Sequence, residues 1–146
     1  STIGERYAGY RYAMLEHGLA LPEKSYFYAQ YQRRSPDIDE LFSPSSGITA
    51  VCAINDFAAT DLIRHAREHG LKVPRDFSIT GFDNLDISHQ FIPPITTVDQ
   101  PFSDLGCIAA EIAYQYLSGT NNGYTTRLLP VQLIVRDSTA PHVLSR

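Results

Sequence analysis

The stretch that most constrains the fold is "ITAVCAINDFAATDLIRHAREHGLKVPRDFSITGF", residues 48–82. It opens with a continuous apolar run, 48–54, of the kind that forms a strand buried on both faces. A helix signal follows: Asp56 is placed to cap it, Ala59, Leu62, Ile63 and Ala66 share one face, and Gly70 stops it. After the "LKVPRD" loop, "FSITGF" (77–82) is bulky and β-prone again. Strand, helix and strand at this spacing make a βαβ unit, which requires parallel strands joined by a right-handed crossover.

The rest of the chain extends the alternation. Residues 2–17 predict a helix, with Thr2 and Glu5 spaced as a capping box, Gly18 at its end, and Ile3, Tyr7, Tyr10 and Met14 on one stripe. "SYFYAQY" (25–31) predicts a strand, and "SPDIDELF" (35–42) a short helix with an acidic first turn. "ITTVD" (95–99) predicts a strand, and a helix from Ser103 to Leu117 follows, stopped by Gly119. "RLLPVQLIVR" (127–136) predicts a last strand, in which Pro130 marks an edge or a crossing. The fold class is therefore α/β: a parallel sheet with helices on both faces.

Composition excludes several classes. The 146 residues fit one domain, and 43% apolar with 19% charged residues is the balance of a globular protein. A net charge of −4, with Lys24 and Lys72 the only lysines, gives no basic footprint for nucleic acid. The sequence has no apolar run of membrane length and no signal-peptide pattern. Cys52 and Cys107 make neither a metal spacing nor a disulfide framework, and read as small buried apolar residues in a reducing, cytosolic setting. The five histidines show no metal spacing, so neither a metal nor a cofactor is expected. The chain opens inside a helix signal without an initiator Met, as a segment of a longer protein would.

In open α/β sheets, ligands sit beyond the carboxyl ends of the strands. Asn55 and Asp56 lie just past the run 48–54, Asp83 and Asn84 past 77–82, and Asp99 and Gln100 past 95–98. Tyr31 ends another strand, and Arg6 occupies the first turn of a helix. Arg6, Tyr31, Asn55, Asp83 and Gln100 therefore converge on one crevice, with Phe102 nearby. A carboxylate and a guanidinium each make two charge-assisted bonds to vicinal hydroxyls or ring nitrogens. Asn and Gln donate and accept, and an aromatic ring covers a sugar or base face. Each residue also has an ordinary reading: Asn55-Asp56 as a helix N-cap, Asp83-Asn84 as a turn, Arg6 as a solvated helix charge. There is no G-x-S-x-G elbow. An enzyme using Asp83 and His89 as acid and base is a rival that the sequence leaves without a nucleophile–base pair.

Four segments, "ERYAGYRYAMLEHGL", "AVCAINDFAATDLIRHAREHGLKVPRDFSITGFDN", "IPPITTVDQPFSDLG" and "LLPVQLIVRDST", resemble in order and spacing the lactose/galactose-repressor family of bacterial transcription regulators. The resemblance is weakest between about 20 and 46. It implies a two-lobed effector-binding core like that of periplasmic sugar-binding proteins. Residues 1–98 and about 130–139 would form its C-terminal lobe, and about 100–128 a segment of its N-terminal lobe. The helix at 103–117 would then need a surface for its apolar face, either on its own lobe or on a second chain.

By the same resemblance, Arg6, Asn55, Asp83, Gln100 and Phe102 match effector-binding positions, and Tyr31 matches loosely an aromatic over the ligand. Leu62 and Phe91 fall in the segments that make the dimer contact. Phe82 departs from the pattern, standing where a tyrosine is common. The implied function is sensing of a sugar-like effector, with a nucleobase possible, by a cytoplasmic homodimer. That dimer would meet operator DNA only through an N-terminal domain absent from this chain, and would have no membrane role. A sugar-binding protein of a transport system is the alternative.

Overall fold

In a computed structural model the described residues are 2–21, 36–120 and 123–141. The strand expected at 25–31, and Tyr31 with it, lies outside them. The βαβ unit forms as the apolar pattern requires. Strand β1 (Ala50–Cys52) pairs in parallel with β2 (Ser78–Thr80), Val51 opposite Ile79. Helix α3 (Asp56–Glu68) connects them, preceded by α1 (Thr2–Glu16) and α2 (Pro36–Leu41). The parallel pairing continues toward β3 (Thr97–Asp99) through bridges between Thr80 and Thr96 and between Asp83 and Asp99. There Gly81 N–H donates to the Thr96 carbonyl at 2.8 Å, and Asp83 N–H to that of Val98 at 2.9 Å.

Two expectations change here. The last strand, β4 (Gln132–Ile134), runs antiparallel to β3, with Asp99 opposite Gln132. The chain leaves the carboxyl end of β3 into α5 (Phe102–Leu117) and returns past that same end, so the strand comes back in the opposite sense. The strands are also short. The Ala53 N–H closes the β1–β2 ladder on the Thr80 carbonyl, and just past it the Ile54 carbonyl accepts from Arg6. A short helix that the sequence did not announce, α4 (Asp86–Gln90), follows β2.

One apolar cluster packs α2 and α3 against the parallel strands. Ala59, Ile63 and Ala66, one turn apart on α3, are fully buried against Ile79, Phe77 and Ile95, with Ile38, Leu41 and Phe42 closing the far side. The Phe42 and Phe77 rings meet at 5.3 Å in a tilted arrangement. Burying a side chain such as Ile63 stabilises the fold by about 1.5–3 kcal/mol. β1 is not buried on both faces as expected: Val51 packs against the cluster, while Ala50 and Cys52 are exposed. The alternation turns Cys52 away from α3 toward α1, whose Tyr10 is pushed up in pKa by burial first, then by Cys52 and Tyr7. Helices thus flank both faces. Cys52 and Cys107 are exposed, contrary to the buried reading. No residue of α5 is fully buried; Ile108 and Ile112 on its apolar face are half-buried.

Gly9 lies inside α1, with nothing within 4 Å of the position a Cβ would take. Gly9→Ala is therefore expected to raise stability by about 0.5–1 kcal/mol, read from a urea denaturation midpoint.

Candidate functional site

The carboxyl edge of the sheet gathers the polar residues that the strand rule places there. Arg6, in the first turn of α1, donates to the Ile54 carbonyl at 2.6 Å, and its guanidinium carbon lies 4.1 Å from the centre of the Phe82 ring. Phe82, at the position where the family pattern favours tyrosine, thus supports the arginine with its π-face. Asp83 accepts from Gln100 Nε2 at 2.6 Å through Oδ1, and Oδ2 carries no bond among the described residues. Arg6, Asp83 and Gln100 are therefore assembled around three consecutive strand ends.

Asp83 and Asn84 both have positive φ, 101° and 53°. Such backbone is costly for residues with a Cβ and concentrates at functional sites. Asn84 is more than a turn former. Its Nδ2 donates to Asp99 Oδ1 at 3.0 Å, and its Oδ1 accepts from Arg136 Nη2 at 2.6 Å. Arg136 also donates to the Ile95 carbonyl at 2.8 Å and to Ser88 Oγ at 2.9 Å. One amide thus connects the strand end to both segments that flank α5 in sequence.

The remaining candidates divide. Asn55, not Asp56, caps α3: its Oδ1 accepts from Ala58 N–H at 2.8 Å. The cap uses the oxygen, and the amide N–H groups can still donate. Asp56 turns inward and is fully buried, bonded to Thr97 and to the backbone of Leu85. No local signal distinguishes the two, since either residue of an Asn-Asp pair is a good cap. Phe102, at the start of α5, is 52% exposed, and its N–H bonds to the Gln100 carbonyl. Leu62 and Phe91 are half-buried and pack against the core, with Arg64 and Arg67 lying over the Phe91 ring. His89 is exposed on α4 and makes no hydrogen bond to Asp83 among the described residues. An open cleft of about 280 Å³ is lined by Asp99, Pro101, Pro130, Val131 and Gln132, and by neither Arg6 nor Asp83.

Comparison with known proteins bears on the family and the fold. Residues 1–139 match the family described as a periplasmic binding protein-like domain. The chain is 36% identical over 145 residues to the HTH-type transcriptional regulator DegA of Bacillus subtilis, covering 97% of this chain and 43% of that protein. Among solved structures it is similar to the CelR–cellobiose complex, at 29% identity and a TM-score of 0.84, covering 92% of this chain and 42% of that one. It is also similar to a LacI family transcriptional regulator from Enterococcus faecium with bound ribose, at 29% identity and a TM-score of 0.75, covering 93% of this chain and 51% of that one. The chain spans less than half the length of the curated relative.

Proposed function

This chain belongs to the periplasmic binding protein-like domain family, in its lactose/galactose-repressor branch, and on that premise we infer that its sheet edge is half of an effector pocket. The observation that carries the reading is the Asp83–Gln100 pair beside Arg6, presented by a left-handed turn. Arg6 and Asp83 supply complementary charges for a polyol or sugar. Asn55 and Gln100 add donors, and Phe102 and Tyr31 cover the apolar face. Residues 1–98 and about 130–139 are the C-terminal lobe, and about 100–128 belongs to the N-terminal lobe.

The protein carrying this chain is a cytoplasmic, non-enzymatic transcription regulator that acts as a homodimer through Leu62 and Phe91. An N-terminal domain outside this chain binds its operator. Ligand closes the lobes and shifts the dimer between bound and released states by its differential affinity for the two. Relatives named as transcription regulators favour this reading over a transport role.

Thermal unfolding of the full-length protein against D-ribose, cellobiose, polyols and nucleobases tests it. A ligand of the native state raises the midpoint by mass action. One class of compound is expected to do so, and Arg6→Ala and Asp83→Ala are expected to abolish the rise. A rise that persists in both variants would remove these residues from the pocket, and a nucleobase response without a sugar response would reassign the effector class.

A further inference from the structure

Asp56 holds the turn of Asp83 and Asn84 from both ends. Its backbone N–H donates to the Phe82 carbonyl at 3.0 Å, and its Oδ2 accepts from Leu85 N–H at 2.7 Å. Between those two anchors lie only Asp83 and Asn84, the two non-glycine residues with positive φ among the described residues. A third tie crosses the turn: Thr97 Oγ1 donates to Asp56 Oδ1 at 2.6 Å and accepts from Asn84 N–H at 3.4 Å. Asp56 and Thr97 are both fully buried, so these bonds are shielded from competing water. Gly81 completes the fit, because a Cβ there would sit 2.1 Å from Asp56 Oδ1.

We propose that Asp56 is a positioning residue for effector binding: it clamps residues 82–85 and imposes the left-handed pair that aims the Asp83 carboxylate into the pocket. The proposal rests on the reading of Asp83 as an effector ligand. Asp56 is buried and touches no ligand. It acts by making the binding-competent backbone of Asp83 the resting one, so that a ligand need not bring about the ordering itself.

Two measurements on the full-length protein test the clamp, one of them independent of any ligand. Amide–Hα couplings and backbone shifts of Asp83 and Asn84 report their φ. The wild type is expected to show the left-handed signature, Asp56→Ala to lose it, and Asp56→Asn, whose amide oxygen still meets Leu85 N–H, to keep it. If Asp56→Ala does not fold, Thr97→Val decides. A left-handed pair unchanged in the folded variant overturns the proposal.

D-ribose is the probe for the second measurement. Asp56→Ala is expected to weaken ribose binding roughly tenfold in the wild-type background and less than about twofold in an Asp83→Asn background, as residues acting as one unit do. Equal losses in both backgrounds overturn the proposal. Failure of the wild type to bind ribose counts against ribose as effector, and the backbone measurement then judges the clamp alone.

Discussion

Asp83→Gly is expected to lower effector affinity by about a hundredfold while changing the melting temperature little. The affinity loss follows from removing a charged acceptor, whose hydrogen bonds are each worth about 1.5–3 kcal/mol. The stability effect has the opposite origin. A φ of 101° suits glycine and costs an L-residue of order 1–3 kcal/mol. Glycine relieves that strain, and the relief is offset by about 1 kcal/mol of extra chain entropy in the unfolded state and by the lost bond to Gln100. Affinity and stability moving apart is the mark of a residue kept for function against its local preference. Titration and denaturation of the same preparation check both. A variant that is clearly destabilised yet binds normally would assign Asp83 to the turn and not to the ligand.

Gly81→Ala is expected to destabilise the fold by about 3 kcal/mol, the upper end of ordinary overpacking. The new methyl group would meet Asp56 Oδ1 at 2.1 Å and the Asp56 Cα at 3.2 Å. The side-chain contact alone could be relieved by rotating the carboxylate, at the expense of its bonds to Thr97 and Leu85. The backbone contact cannot be relieved that way, so β2 and the start of α3 must separate. Gly9→Ala, the same substitution in open space, has the opposite expected sign, and urea denaturation of the two variants makes a paired comparison.

The parts of the fold legible in the sequence are those whose signal is periodic and local. The α3 face repeats every three to four residues, and Ala59, Ile63 and Ala66 are indeed its buried side. What was not legible depends on contacts distant along the chain. The direction of β4 follows from where α5 returns it, which no residue of "QLI" encodes. Helix α4 is too short, at five residues, to carry a period. The burial of Asp56 is decided by Thr97, 41 positions away, and Leu85, 29 positions away, whereas the local sequence supports a cap at either residue of the pair.

The convergence of Arg6, Asp83 and Gln100 was legible because topology alone brings strand ends to one edge. The Arg136–Asn84–Asp99 chain was not, since nothing in "IVRDST" says which way its arginine turns. The only signal was the position of that cation directly after an apolar strand. Cys52 misled for a related reason: it belongs to an apolar run, but the strand's alternation turns it to the side where the described residues leave it exposed.

The central claim is that the ligand is held at the edge formed by Arg6, Asp83 and Gln100. The most direct test is a crystal structure of the full-length protein grown with the compound that most raises its melting point. The account predicts ligand oxygens or ring nitrogens at about 2.6–3.2 Å from the Asp83 carboxylate and the Arg6 guanidinium. Ligand seated elsewhere, for instance in the cleft between Asp99, Pro101, Pro130, Val131 and Gln132, with Asp83 and Arg6 untouched, would contradict it.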